Sequence, residues 1–146
     1  MGGQENKAFL EAIHGGEGSF VADDVEPLLQ RCGGATLEFM EELIDREYLS
    51  KNKACKMWAD GLGVAYVNPL IAVVTADAVQ RVPVEIARKG LLVGLYVIND
   101  VLRVAMAKPK DSRLVKQLEA IANIEISPVF APPREINHAI ELYYRT

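Results

Sequence analysis

The chain has 146 residues, 50% of them hydrophobic and 25% charged, which fits one compact domain or two small subdomains and excludes a disordered polymer. The formal charge of −4 is too acidic for a protein built to wrap nucleic acid, and it is uneven: residues 1–60 hold 12 acidic and 6 basic groups, whereas residues 61–146 hold 8 and 10. Two cysteines cannot staple a domain, no basic stretch leads into an apolar run at the start, and the longest apolar run, Leu62 to Val74, is broken by Asn68-Pro69 well short of the ~20 residues that span a bilayer. These features predict a cytoplasmic protein with reduced thiols that reaches a membrane only through a partner.

The first sixty residues read as four helices. Phe9, Leu10 and Ile13 form a short apolar stripe ended by Gly15-Gly16. Asp23 or Asp24 can cap a second helix with Val25, Leu28 and Leu29 inward and Gly33-Gly34 as its stop. Leu37, Met40 and Ile44, flanked by Phe39 and Leu43, make a third helix. Ser50 caps a fourth, which carries Ala54, Cys55, Trp58 and Ala59 and is ended by Gly61 and Gly63. Phe9–Ile13 parallels Phe39–Leu43, and an aromatic–aliphatic pair follows each (Phe20-Val21, Tyr48-Leu49), which suggests two copies of a helix–turn–helix unit packed together.

The texture changes at Val64, so residues 1–63 are expected to form a helical N-terminal subdomain and 64–146 an α/β subdomain. Residues 76–81 suggest a helical turn, and Pro83 opens a helix with Arg88 and Lys89 in its last turn and Gly90 just past its end. Leu91–Ile98 and Val101–Ala107 read as strands joined by the two-residue turn Asn99-Asp100, with Leu102, Val104 and Met106 on one face and Arg103 turned away. Asp111 can cap a helix with Leu114, Leu118 and Ile121 inward. A strand at 124–131 contains Pro128 and so belongs at a sheet edge, and Pro132-Pro133 opens a last helix with Ile136, Ala139, Ile140 and Tyr143 on one face. The fold class is α+β, with helix–turn–helix units followed by a ββαβα sheet-and-helix part.

No catalytic constellation emerges. No glycine-rich loop ends in Gly-Lys-Ser/Thr, and Gly61-Leu62-Gly63 has Tyr66 where a dinucleotide fingerprint needs its third glycine. The two histidines, His14 and His138, have no Cys or His at metal-ligand spacing, so neither a metal nor a cofactor is expected. Cys55 falls beside Trp58 as a small hydrophobe, and the adjacent carboxylates Asp23-Asp24 and Glu41-Glu42 point apart on a helix. One cluster is suggestive: Arg103, Lys108, Lys110, Arg113 and Lys116 gather near a strand-to-helix junction, where free N–H groups attract anions, although a soluble rim is the favoured account of them.

The order and spacing of several short motifs carry a resemblance. They are Val82-Pro83-Val84-Glu85-Ile86-Ala87-Arg88-Lys89, Val101–Pro109, Val129–Ile136 and Ala139–Tyr144, preceded by Leu43–Val67. Together they resemble the N-terminal domain of the type II secretion and type IV pilus assembly ATPases, well over residues 36–146 and loosely before. The resemblance implies a non-catalytic module in front of a nucleotide-binding core, docking the motor to the cytoplasmic part of an inner-membrane platform protein. In one subgroup it implies cyclic di-GMP binding through tandem motifs of Arg-Leu-Gly, a glycine before the turn, and a glutamine near the end of the second helix. Here Glu38-Phe39-Met40, Glu47 and Gly61 stand at those positions in the second copy. The apolar framework survives while an acid replaces the phosphate-clamping arginine, so docking is the expected function and cyclic di-GMP sensing the alternative. Phe39, Leu43, Leu49 and Trp58 are the candidate apolar docking residues, and core packing is the competing role for them.

Overall fold

A computed structural model describes residues 5–13 and 22–144. Among these the chain forms eight helices and three strands, as an α+β chain should. It divides into two compact units, Met1–Gly63 and Val64–Thr146. The expectations for His14, Gly15-Gly16 and Phe20-Val21 lie outside the described residues.

The first unit contains α1 (Lys7–Ala12), α2 (Ala22–Arg31), α3 (Leu37–Asp45) and α4 (Lys51–Leu62). Three of these helices start at polar caps. Asn6 Oδ1 accepts from the Phe9 N–H at 3.0 Å, Thr36 Oγ1 from the Phe39 N–H at 3.4 Å, and Ser50 Oγ from the Lys53 N–H at 3.2 Å. The second helix corrects the sequence reading: it already runs at Ala22, so Asp23 and Asp24 fall within its first turn and neither flanks it.

The caps reveal the register of the repeat, a constant offset of 30 positions. Asn6 matches Thr36, and Phe9 matches Phe39. Ile13 with Leu43, Val25 with Cys55, and Leu28 with Trp58 are buried in both copies. Gly33 and Gly63 close the two copies with left-handed φ of 77° and 75°. Phe9 sits at the junction, edge-on to Phe39 at 6.3 Å and to Trp58 at 5.2 Å. The buried face of α3 is centred on Phe39, Met40 and Leu43, with Leu37 and Ile44 only half-buried, so the expected 37–40–44 stripe is displaced by about one residue.

One buried polar side chain ties this unit together. Asn6 is 3% exposed, its backbone N–H donates to the Ala35 carbonyl at 2.8 Å, and its Nδ2 donates to the Trp58 carbonyl at 2.8 Å. Gly61 makes room for it, because a Cβ there would stand 2.5 Å from Asn6 Oδ1. Gly61 is therefore a packing glycine inside α4, and Gly63 alone ends that helix.

The second unit runs α5 (Ala76–Gln80), α6 (Val84–Gly90), β1 (Leu92–Ile98), β2 (Val101–Met106), α7 (Ser112–Ala122), β3 (Glu125–Phe130) and α8 (Pro133–Tyr143). The sheet order is β1-β2-β3, with β1 antiparallel and β3 parallel to β2. Asn99 and Asp100 both take positive φ, 52° and 62°, as a type I′ hairpin turn requires. The parallel β2–α7–β3 crossover leaves β3 terminal, where the missing N–H of Pro128 disturbs no central ladder. Outside it, Tyr66 forms an isolated bridge to Phe130. Helices α5, α6 and α8 pack on β1, and α7 packs on β3. Leu92, Leu95, Leu102, Met106, Leu118, Phe130 and Ile136 form the core.

Two details differ from the pattern read in the sequence. Gly90 is the last residue of α6, and Leu91 takes the left-handed C-cap at φ 53°. A side chain at 90 would press on Leu92 and Leu114 at 3.1–3.2 Å, so contact and not conformation selects glycine there. On α7, Leu118 is buried but Ile121 is 45% exposed, because the helix turns its 111–115–118–122 side toward β3.

Replacing Asn6 by Ala removes a helix cap and an inter-helix bond together and leaves the Trp58 carbonyl without that donor. Urea unfolding should show a loss of about 2 kcal/mol, whereas Asn137→Ala on the exposed side of α8 should stay within about 0.5 kcal/mol of the parent.

Candidate functional site

The four residues proposed for docking are core. Phe39 and Leu43 are 0% exposed, Trp58 is 3% and Leu49 is 5%. Phe39 and Leu43 lie on α3, Trp58 on α4 and Leu49 in the turn between them, all turned into the core, so none offers apolar surface to a partner. This corrects the expectation from sequence, which could identify apolar residues but not which side of a four-helix unit faces water.

The basic cluster is also divided by the fold. Arg103, half-buried on β2, lines a depression with Tyr96, Asn99, Glu125 and Ser127. Lys108 instead lines a 270 Å³ cleft with Ile86, Lys89, Leu91, Asp111 and Gln117. Lys110, Arg113 and Lys116 are exposed around the start of α7. That start is occupied by a carboxylate of the chain itself, since Asp111 Oδ1 accepts from the Leu114 N–H at 3.2 Å. An external anion would meet this negative cap before any free N–H group. The expected gathering of Arg103, Lys108, Lys110 and Arg113 around one anion therefore does not occur.

Two groups titrate away from reactivity. Burial, with the Glu38 and Glu42 carboxylates adding to it, pushes the Cys32 thiol up and holds it protonated, the opposite of an activated nucleophile. Burial pushes the Tyr144 phenol up to about 12, which keeps it a donor to the Val82 carbonyl at 2.7 Å and the Val79 carbonyl at 3.0 Å.

The surface that stands out lies in the second unit, and sequence reasoning passed over it. Among the described residues the most exposed large hydrophobic side chains are Ile71 at 85%, Val73 at 70% and Ile98 at 58%. Val67, Ala72, Val73, Tyr96 and Ile98 line one open groove of 530 Å³ beside the hairpin end of β1. Its position is fixed on three sides. Thr75 caps α5 through the Ala78 N–H and donates its own N–H to the Leu95 carbonyl at 2.8 Å. Asn68 Oδ1 accepts from the Leu70 N–H at 2.9 Å, turning the chain after Val67, and the Tyr143 hydroxyl donates to the Pro69 carbonyl at 3.4 Å. The available signal was the Asn68-Pro69 break itself. It leaves Ile71 and Val73 in a segment with neither helical nor strand pairing to bury them.

The MshEN domain family matches residues 62–146, more than half of the chain. The chain belongs to the MshEN domain family. In fold it is similar to the N-terminal domain of XpsE, at 17% identity and a TM-score of 0.67 over 99% of this chain and 100% of that one. A second crystal form of the XpsE domain gives 17% identity and a TM-score of 0.55 over 94% and 93%. It is also similar to MshE with cdg, at 23% identity and a TM-score of 0.64 over 84% and 86%. No curated protein matches the sequence. The resemblance to the N-terminal domains of the secretion and pilus assembly ATPases, and the α+β class read from the residues, are borne out by the family match and the XpsE fold.

The positions that depart from the cyclic di-GMP motif can now be placed in this MshEN chain. Glu38 is exposed in the first turn of α3, Met40 is fully buried, and Gly61 is filled against by Asn6. The two arginines of the first unit, Arg31 and Arg46, both approach the Glu42 carboxylate, at 3.6 and 3.0 Å. Glu47 holds a left-handed backbone that glycine adopts most readily, with φ of 63°. An L-residue in this region is strained, so Glu47→Gly should raise the unfolding free energy by about 1 kcal/mol in urea titration. No gain would mean that the Glu47 side chain makes compensating contacts.

Proposed function

We propose that this MshEN chain is a non-catalytic docking module of a secretion or pilus assembly ATPase. In this reading it joins the motor to the cytoplasmic part of an inner-membrane platform protein. The observation that carries the reading is the exposure of Ile71 and Val73 on one tethered segment of the second unit, the part matched to the family, with Val73 sharing an open groove with Ile98. Apolar side chains so exposed are stabilised when a partner removes them from water, by ~25 cal/mol per Å² of apolar surface buried. None of the described helices is long and apolar enough to cross a membrane, so in this reading membrane association comes through the partner. In calorimetry the chain should bind the platform's cytoplasmic domain and hydrolyse no ATP. Ile71→Asp or Ile98→Asp should weaken binding at least about tenfold, since removal of a central apolar anchor costs ~2 kcal/mol or more. Binding that ignores both changes would move the docking surface elsewhere.

A second reading, cyclic di-GMP sensing, is favoured by the likeness to MshE with cdg. Against it stand the carboxylates at Glu38 and Glu47 and the engagement of Arg31 and Arg46 with Glu42. A phosphate ligand needs cations or backbone donors at those places. Titration with cyclic di-GMP, with GTP and ATP as controls, should leave the thermal midpoint unchanged. A saturable rise with the cyclic dinucleotide alone would restore the sensing reading.

A further inference from the structure

We propose that the docking partner sets a single carboxylate side chain against Arg103 on the open face of the sheet. The inference rests on the docking reading and names the chemistry that the partner must bring. Arg103 lies in the central strand β2, opposite Tyr96 on β1 and Ser127 on β3. Ile98, Val101 and Glu125 form the next row, so these six side chains share one sheet face and line one depression. Residues 67–75 cross the same face. They run from the Val67 N–H on the Phe130 carbonyl of β3 to the Thr75 N–H on the Leu95 carbonyl of β1, and Val67, Ala72 and Val73 meet Tyr96 and Ile98 on the way. The apolar groove and the Arg103 depression therefore adjoin, with Tyr96 and Ile98 as their common wall. Among the described residues, the half-buried Arg103 guanidinium makes no ion pair and no hydrogen bond.

This arrangement constrains whatever covers the rim. A partner that removes Tyr96 and Ile98 from water also covers Arg103, because all three line one depression. A guanidinium stripped of water without an acceptor is strongly destabilising. Its cross-strand neighbours Tyr96 and Ser127 carry no charge. Glu125 stands one row away, opposite Val101, and is exposed on a terminal strand, where it stays at the rim in water. The acceptor must therefore arrive with the partner. A carboxylate fits, with one charge against one cation and two oxygens to accept the paired N–H groups of the guanidinium. A terminal phosphate, with up to about two charges, would find one cation here, and a run of acids would meet Glu125. The occupant is therefore one Asp or Glu beside apolar residues that enter the adjoining groove, whose lining side chains are uncharged.

The test is calorimetry of the full chain with the cytoplasmic domain of the platform protein, together with co-sedimentation of the chain with phosphatidylglycerol vesicles. Arg103→Gln should weaken the complex at least about tenfold, because one member of a covered charge pair is lost. Arg103→Lys should recover part of that loss, since it keeps the charge without the paired donors. Glu125→Gln should leave binding unchanged or tighten it. A thermal midpoint matching the parent would establish that each variant folds. If Glu125→Gln weakens the complex as Arg103→Gln does, the chain supplies its own acceptor and the proposal is overturned. A complex that ignores Arg103→Gln but is weakened by Ile98→Asp would overturn it while leaving docking intact. Vesicle binding that Arg103→Gln abolishes, with the protein complex unchanged, would give Arg103 to a lipid phosphate and also overturn it. Failure to form any complex would remove the docking reading and this inference with it.

Discussion

A missing side chain at Gly94 sets the geometry on which the exposed rim depends. A Cβ at that position would stand 2.5 Å from the Ala78 carbonyl oxygen, closer than the two can approach. With glycine there, α5 lies directly against β1. Thr75, at the head of α5, then comes within hydrogen-bond reach of the Leu95 carbonyl. On the other side, Tyr144 holds the end of α5 through the Val79 and Val82 carbonyls, and Tyr143 reaches Pro69. The segment carrying Ile71 and Val73 is thus pinned at Pro69 and at Thr75, with its apolar side chains outward. Their exposure follows from tethering to a packed helix and strand, which distinguishes this rim from a loop that could fold its side chains back.

The first unit obeys a different constraint. Its short helices cannot each bury a full apolar face, and the two copies meet through Phe9, Phe39 and Trp58. Aromatic edge contacts of this kind contribute about 0.5–1.5 kcal/mol each beyond area burial. The Asn6 and Thr36 caps hold their phenylalanines at equivalent positions one repeat apart. Packing therefore consumes the apolar residues that a docking surface would need, while the polar outer positions carry charges of both signs. Both arginines of the same unit are drawn to one carboxylate, that of Glu42.

Where local chemistry decides, the sequence was legible. Asn99-Asp100 specifies a turn with two positive φ values, Asp111 and Ser50 specify helix starts, and Pro132-Pro133 can only open a helix or an extended run. The α8 stripe of Ile136, Ala139 and Ile140 is buried as its spacing requires. Where tertiary contact decides, it was not legible. Gly61 and Gly90 look like helix stops, but their neighbours in space are Asn6 and Leu114. Ile121 fits the apolar period of α7 and still faces water, because the helix has one partner face and Leu118 is at its centre. Arg103 and Lys108 are five positions apart in sequence but line different depressions, since Arg103 lies within a strand and Lys108 follows its end.

The candidate site was hidden for a related reason. Amphipathic periodicity identifies residues that helices and strands bury in their own core, and Phe39, Leu43, Leu49 and Trp58 satisfied that criterion. A surface for a partner has the reverse signature: apolar side chains where no regular element can bury them. Residues 70–74 form such a run, Leu-Ile-Ala-Val-Val, after an Asn-Pro turn and before the Thr75 cap, too short for a helix and with no paired strand. Reading that run as a broken core strand assumes that its apolar character is spent inside the chain. Ile71 and Val73 show that it is not: they stay exposed although the run is tied to β1 by the Thr75 N–H and to β3 by the Val67 N–H.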